Sequence, residues 1–307
     1  MLHPKSTSFR KIDFHNHIWL YPEAYLNNPD ALQYDPPGPY PDPDGDRLVA
    51  SMDRFGIEKT VIIACPTRIW NYAGDNEDIL RAMRKHPGRF IGVMHLDFRD
   101  GAKQCMETID RYAGEGMRGA KMFPGLGFYP DDPQYYPIYE KLAHHRLFAA
   151  YHLGMLSQSD AKPPVPLSVK YAQPMFLEPL AILFPDIKFV ICHMGSCPFY
   201  EQTLCVMRYY SNIYADLSGA APEAFRLMGR QYTNVPLWYL PPESRCFAGK
   251  QLEFVQWDRL LYGIDSPHGW THQFDFWASH AAENGYADKL QAMFYDNAAR
   301  FLSKLRE

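Results

Sequence analysis

Short apolar stretches alternate with amphipathic stretches along most of the chain. Each apolar stretch is rich in Val, Ile, Phe, Leu and Ala, and polar residues separate it from a segment whose apolar positions recur with the period of a helix. This alternation is typical of parallel strands covered by helices. It predicts strands at residues 12–17, 60–65, 90–96, 119–123, 148–153, 188–193, 212–217 and 260–265.

The amphipathic stretches predict helices between these strands. In the first helix we expect Asp46 to be the N-cap, and Leu48, Met52 and Phe55 fall on one face. Strands and helices therefore follow one another as repeated units. The predicted helices cover residues 47–55, 77–86, 102–113, 134–145, 177–184 and 286–305.

The spacing of the predicted strands favours a closed barrel. They recur roughly every 36 residues, which fits a (β/α)8 TIM barrel built as one domain over residues 1–307. A doubly wound open sheet is the alternative, but no glycine-rich turn follows the first strand. Long insertions after strands, at about 19–45, 155–174 and 220–257, predict a lid over the active face.

Composition narrows the classes of partner. The chain is 47% hydrophobic and 21% charged with a net charge of −4, which is typical of a globular protein. It has no basic run for nucleic acid or an anionic membrane, so we expect a small-molecule substrate. No signal-like or membrane-length apolar stretch is present, and the six cysteines are scattered. These features predict a cytoplasmic protein with reduced thiols.

A His-x-His pair occurs at the end of the first predicted strand. Side chains of a strand alternate between its faces, so His15 and His17 point the same way and Asn16 points to the other side. Two converging neutral imidazoles suit zinc or a similar cation. The alternative is a pair of hydrogen-bonded polar side chains near the barrel mouth.

Three further polar residues end other predicted strands. His152 ends the fifth strand, His193 the sixth and Asp265 the eighth. Each belongs to an otherwise apolar strand, where an imidazole or a charge is costly to bury without a partner or a metal. We therefore expect these residues to meet the His15–His17 pair at one end of the barrel.

In this order, the motifs of the chain resemble the amidohydrolase superfamily. The similarity is to the amidohydrolase-related branch of metal-dependent hydrolases that are like aminocarboxymuconate semialdehyde decarboxylase. It spans nearly the whole chain. The motifs are Ile-Asp-Phe-His-Asn-His, Gly-Ala-Lys-Met-Phe-Pro, Tyr-His-Leu-Gly, His-Met-Gly, Tyr-Ala-Asp-Leu-Ser, Gly-Ile-Asp-Ser-Pro and Asp-Asn-Ala-Ala-Arg-Phe-Leu.

The resemblance implies a catalytic metal held by His15, His17, His152 and Asp265. In this branch the metal is usually zinc and sometimes manganese, and one ion is more common than two. His193 corresponds to a histidine that activates water or donates a proton, although in binuclear relatives it binds a second ion. Dimers are common in the branch, so a homodimer is a further expectation.

The roles around the metal follow from its chemistry. Asp265 can accept a proton from an activated water, and His193 can polarise a carbonyl or protonate a leaving group. Lys121 ends the fourth predicted strand and can bind a substrate carboxylate or join a structural ion pair. The resemblance also implies a third role, because binuclear relatives have a carboxylated lysine that bridges two metal ions at this position. Asp216 is interpreted as a structural hydrogen-bonding residue. Trp19 and His268 are further substrate-binding candidates, although an aromatic residue such as Trp19 can simply pack within its own loop.

Three functions stay open from sequence alone. The first is metal-dependent hydrolysis of a small carboxylated or cyclic ester, lactone or amide. The second is non-oxidative decarboxylation of an aromatic or enol-type carboxylic acid by the same metal. The third is a catalytically inactive barrel that acts as a binding scaffold, and the intact set of predicted ligands argues against it.

Overall fold

The computed structural model contains one sheet of eight parallel strands in the order in which they occur along the chain. The structure describes residues 9–20, 42–66, 69, 73–156, 166–196, 199–218, 255–265, 274, 277–279, 281–283 and 286–305. The strands are β1 Lys11–Asn16, β2 Ile57–Ile63, β3 Phe90–His95, β4 Gly119–Met122, β5 Phe148–His152, β6 Phe189–Cys192, β7 Ile213–Asp216 and β8 Leu260–Leu261.

Backbone hydrogen bonds between β1 and the residues after β8 bring the ends of the sheet together. Phe14 N donates to Tyr262 O at 2.7 Å, and Ile264 N donates to His15 O at 3.1 Å. The Asp13 carboxylate supports this junction, since it accepts from the backbone N–H groups of His15 and Ile264, each at 3.1 Å. The predicted (β/α)8 barrel is confirmed.

Helices follow most of the strands. Two differences from the sequence prediction stand out: the helix at Tyr200–Tyr209 was not predicted, and the predicted helix at 286–305 is divided into a 3-10 turn, a π-helix at Ala292–Asp296 and a short α-helix. No helix within the described ranges is long and apolar enough to cross a membrane. The helices are α1 Asp46–Phe55, α2 Asn76–Lys85, α3 Ala102–Gly114, α4 Tyr136–His144, α5 Leu177–Leu183, α6 Tyr200–Tyr209 and α7 Asn297–Ser303.

The start of α1 differs from the prediction that Asp46 is its N-cap. The N-cap is Gly45, in the left-handed conformation, and Asp46 lies in the first turn. The carboxylate of Asp42 accepts the N–H groups of Arg47 and Leu48 at 3.2 and 2.9 Å, so it takes over the capping role from outside the helix. Asp46 instead forms an ion pair with Lys85.

Much of the predicted lid falls outside the described residues. Of the insertions at 19–45, 155–174 and 220–257, the structure describes residues 19–20, 42–45, 155–156, 166–174 and 255–257. Among these, Gly154 N donates to Ala172 O at 2.8 Å, which fastens one returning segment to the end of β5.

The barrel interior and the layer beneath the helices form separate apolar clusters. Phe301, on α7, enters the interior cluster near the amino ends of the strands. Its ring centroid lies 5.0 Å from that of Phe14, 5.2 Å from Phe148 and 4.8 Å from Tyr214. Aromatic packing from the last helix therefore fills the end of the barrel opposite the histidines.

Phe301→Ala should lower the free energy of unfolding by about 3–5 kcal/mol, because it removes a buried ring that its neighbours cannot replace. Denaturant unfolding of the purified protein measures this loss. The matched control is Leu183→Ala on α5, where the side chain is 52% exposed and the change should be about 0.5 kcal/mol or less. Equal losses in the two variants would contradict the core role of Phe301.

Candidate metal centre

His15 and His17 lie at the end of β1 with their rings buried, at 1% and 6% exposure. Each ring uses its Nδ1 atom for a supporting contact. His15 Nδ1 donates to Asp216 Oδ2 at 2.9 Å, and His17 Nδ1 donates to the carbonyl oxygen of Ile63 at 2.7 Å. Such contacts fix the orientation of a metal-binding imidazole and leave its Nε2 atom for the metal.

Asp265 follows β8 and faces both rings. Its Oδ1 atom lies 2.9 Å from His17 Nε2 and 3.7 Å from His15 Nε2. Its backbone has a positive φ of 53°, a strained conformation for a residue other than glycine, and its N–H donates to His15 O at 2.7 Å. Ligand atoms of His15, His17 and Asp265 all lie within 4.8 Å of one another. The structure thus brings three of the four predicted ligands together.

The protonation states of His15 and Asp265 favour the binding of a cation. Burial lowers the pKa of His15 to about 4, although Asp216 raises it, so the ring is neutral and its Nε2 atom carries a lone pair. Burial also acts to raise the pKa of Asp265, but His15 and His17 outweigh it and hold that pKa well below its usual range. Lone pairs and a carboxylate oxygen that converge in this way fit a divalent cation with nitrogen and oxygen ligands.

The raised pKa of His17 also indicates that its surroundings favour a positive charge. Burial lowers its pKa, but the contacts with Cys65 and Asp265 outweigh this effect and raise the pKa to about 10. In the metal-free protein a proton therefore occupies the Nε2 atom that faces Asp265. A metal ion at this place must displace that proton.

His152, the remaining predicted ligand, ends β5 but is not in this group. Its Nδ1 atom lies 3.2 Å from His193 Nε2, and its Nε2 atom lies 3.1 Å from the carbonyl oxygen of Met155. Its ring stacks on Phe123 with centroids 5.8 Å apart. The role of His152 as a metal ligand stays a prediction, and it requires the Nε2 atom to leave Met155.

His193 lies between the grouped ligands and His152. It follows β6 in a short 3-10 turn with a φ of 57°. Its ring centroid is 4.7 Å from that of His15 and 4.5 Å from that of His152, and its Nδ1 atom is 3.8 Å from Asp265 Oδ2. This position allows His193 to exchange protons with a group bound beside Asp265.

Asp216 supports the histidines from below, at the end of β7. Besides the His15 ring, it accepts the backbone N–H groups of His193 and Ser218 at 3.1 and 3.0 Å, and the Ser218 hydroxyl. Burial acts to raise its pKa, but the contact with His15 and the nearby His193 and Lys121 outweigh it and hold the pKa well below its usual range. These contacts match the structural role predicted for Asp216. Ser218 was not singled out from sequence, although a residue two positions after Asp216 is expected on the same face of the strand.

Glycines in two of the histidine motifs allow the loops after β5 and β6 to touch. Gly154 has a φ of +89°, and a Cβ atom there would lie 2.2 Å from the carbonyl oxygen of Gly195. A side chain at this position would push apart the loops that follow His152 and His193. The repeated His-x-Gly pattern therefore has a packing cause.

The predicted substrate-binding residues differ in their surroundings. Lys121 is buried in β4, and its Nζ atom donates to Cys192 Sγ at 2.7 Å. It forms no ion pair with any residue that the structure describes, so no structural ion pair is found there. Trp19 is also buried, with its ring 5.3 Å from His17. His268 lies outside the described residues.

One family model matches the chain over nearly its whole length. The model described as "Amidohydrolase" covers residues 12–304, which include the eight strands except for Lys11, and the grouped ligands. No curated protein matches the chain.

Solved structures resemble the chain at low sequence identity. A 5-carboxyvanillate decarboxylase from Novosphingobium aromaticivorans, complexed with manganese and 4-hydroxy-3-methoxy-5-nitrobenzoic acid, has 16% identity, a TM-score of 0.57 and coverage of 97% of each chain. A 2,6-dihydroxybenzoate decarboxylase from Rhizobium has 18% identity and a TM-score of 0.56, covering 96% of this chain and 99% of its own. A 4-oxalomesaconate hydratase from Rhodopseudomonas palustris has 17% identity and a TM-score of 0.58, with 96% of each chain covered. At these identities the likeness shows a shared fold.

Loss of either first-strand histidine should strip the protein of its metal. We expect His15→Ala and His17→Ala to purify with little bound metal and with a folded barrel, because each removes one of the converging ligands. Elemental analysis and circular dichroism measure the two properties. His144→Ala is the matched control, since His144 lies exposed at the end of α4 and should leave the metal content unchanged. Full metal content in both first-strand variants would refute the assignment.

Metal affinity should rise with pH. The raised pKa of His17, about 10, means that its ring is protonated near neutral pH in the metal-free protein, so binding releases this proton. For one displaced proton, zinc affinity should increase about tenfold per pH unit between about pH 6 and pH 8. Competition with a coloured chelator measures this slope. An affinity independent of pH would contradict the proton count.

Proposed function

The chain belongs to the amidohydrolase family and is a metal-dependent enzyme of that superfamily, and from this premise we propose that it hydrolyses a small carboxylated ester, lactone or amide. The observation that carries the proposal is the convergence of His15 Nε2, His17 Nε2 and Asp265 Oδ1, the atoms that a cation can join once it displaces the proton of His17. We propose His152 as the fourth ligand.

Zinc is the proposed metal, because two imidazoles and a carboxylate suit it. Manganese is the second candidate, since a structural neighbour holds manganese. When bound, such an ion makes water a nucleophile near neutral pH, because it lowers the pKa of water from about 15.7 towards roughly 7.

Asp265 and His193 handle the protons of the proposed reaction. Asp265 Oδ1 faces the proposed ligands, and its Oδ2 atom lies 3.8 Å from His193 Nδ1. Asp265 accepts the proton of the attacking water, and His193 passes a proton to the leaving group. The low pKa of Asp265 keeps it ionised before the attack, as this role requires.

Lys121 binds a carboxylate of the substrate in this proposal. Its Nζ atom is buried, and its one described hydrogen bond goes to the Cys192 thiol. A buried ammonium group is costly without an anion, and a substrate carboxylate supplies one. Trp19 forms an apolar wall beside His17.

Decarboxylation is the second candidate function. Two of the structural neighbours named above are decarboxylases of aromatic acids, and they share the fold across nearly the whole chain. The same metal, Lys121 and His193 can serve a reaction in which a carboxylate leaves and a carbon is protonated. The distinction between the two candidates is the product: a new acid or carbon dioxide.

A panel of carboxylated lactones, esters and amides, together with hydroxybenzoates, tests both candidates. We expect acid release from at least one of the first group, and carbon dioxide release from the hydroxybenzoates would favour the second candidate instead. If zinc- or manganese-loaded protein forms neither product, both candidates are overturned.

Lys121→Gln should raise KM by about tenfold or more, because it removes the charged partner of the carboxylate.

A further inference from the structure

Ser218 connects two of the site histidines to the buried Asp216 carboxylate. Its side chain is fully buried. Its Oγ atom lies 2.9 Å from His193 Nδ1 and 3.1 Å from His15 Nδ1, and its hydroxyl donates to Asp216 Oδ1. One hydroxyl group therefore contacts all three of these side chains.

The single hydroxyl proton decides which way these hydrogen bonds run. The ionised Asp216 has no proton to give, so Ser218 donates to it, and a hydrogen bond to a charged group is stronger than one to a neutral ring. Ser218 Oγ then has lone pairs alone to offer to His193. His193 must carry its proton on Nδ1, which also faces the Ser218 carbonyl oxygen at 3.4 Å.

The same reasoning extends outward to His152. With its proton on Nδ1, a neutral His193 has a lone pair on Nε2, and it accepts a hydrogen bond from His152 Nδ1 at 3.2 Å. His152 then has its lone pair on Nε2. His152, His193 and Ser218 thus form a row of hydrogen bonds that leads to Asp216. Each donor in this row points towards Asp216, and each lone pair points away from it.

If the hydrogen bonds ran in the reverse direction, the contact of His152 with Met155 would be satisfied, but the contact of His193 with Ser218 would not. If His152 donated from Nε2 to Met155 O, 3.1 Å away, His193 would carry its proton on Nε2, and its Nδ1 lone pair would face the Ser218 oxygen. Met155 is 60% exposed, so water can separate a mismatched pair there, whereas Ser218 is fully buried. A conflict between acceptors costs more in the buried place.

We propose that Ser218 is a positioning residue that places the protons of His193 and His152 on Nδ1, so that His193 Nε2 accepts from His152 and the Nε2 lone pair of His152 is available to a metal ion. A lone pair on His152 Nε2 is what metal binding requires, and a proton on His193 Nδ1 is what a proton donor requires. The catalytic consequence rests on the proposed function, but the position of the protons does not.

Nitrogen NMR of the metal-free protein tests the proton positions directly. With 15N-labelled histidine, long-range correlations report which ring nitrogen is protonated, and His193→Gln identifies the His193 signals among the 12 histidines. We expect protonated Nδ1 on His193 in the wild type. In Ser218→Ala the hydroxyl contact is lost while the backbone carbonyl oxygen at 3.4 Å remains, so we expect a fraction of His193 protonated on Nε2 to appear.

Two variants separate positioning from packing. Ser196→Ala is the matched control, because Ser196 is also buried but its hydroxyl contacts the Leu153 carbonyl oxygen at 3.4 Å and none of the histidine rings that the structure describes. It should leave the His193 signals unchanged. Ser218→Thr keeps the hydroxyl group and should restore the wild-type pattern. If the added methyl group prevents folding of Ser218→Thr, comparison of the wild type with Ser218→Ala still tests the position of the His193 proton.

Kinetics give the second readout. In Ser218→Ala we expect kcat to fall on the order of 10- to 100-fold and zinc affinity to weaken, with KM nearly unchanged. A wild-type His193 protonated on Nε2, or His193 signals that are the same in Ser218→Ala, would overturn the proposal. A switched proton with an unchanged kcat would overturn the catalytic role. If the protons lie as expected but no substrate turns over, the proposed function fails and the assignment of the protons stands.

Discussion

A buried negative charge governs the organisation of this barrel end. Asp216 lies inside an apolar cylinder, where an ionised carboxylate is stable if its oxygens are fully hydrogen-bonded. It accepts from the His15 ring, two backbone N–H groups and the Ser218 hydroxyl. The donors come from β1, from the turn after β6 and from the end of β7. One carboxylate thus fixes the relative positions of three strands and the orientation of the rings above them.

Closure of the barrel provides the second constraint. The junction of β1 with the residues after β8 brings Asp265 over the His15–His17 pair, which lies some 250 residues earlier in the chain. Asp265 and His193 both have a positive φ, so their side chains are aimed by a strained backbone. Strain of this kind persists where the surrounding contacts over-determine the position. The candidate site therefore depends on closure as much as on the identity of its residues.

Charge balance links the metal centre to the substrate proposal. His15 presents a lone pair and Asp265 a negative charge, and a cation can take the place of the proton on His17. Lys121 presents a buried positive charge with a thiol as its described hydrogen-bond partner. A substrate that carries a carboxylate and a polarised carbonyl answers both needs at once. Hydrolysis and decarboxylation therefore require the same arrangement of charges in the site, although they break different bonds.

The sequence by itself determined the barrel, because strand and helix periods are local properties, and it placed His15, His17, His193 and Asp265 at or shortly after the carboxyl ends of strands. It did not reveal that Asp42 rather than Asp46 caps α1, that Ser218 contacts two rings, or that His152 stands apart from the grouped ligands. These are tertiary facts, since they depend on hydrogen bonds between residues that local patterns do not connect. His15 and Ser218 are 203 positions apart, and the fold alone decides which atom of each faces the other.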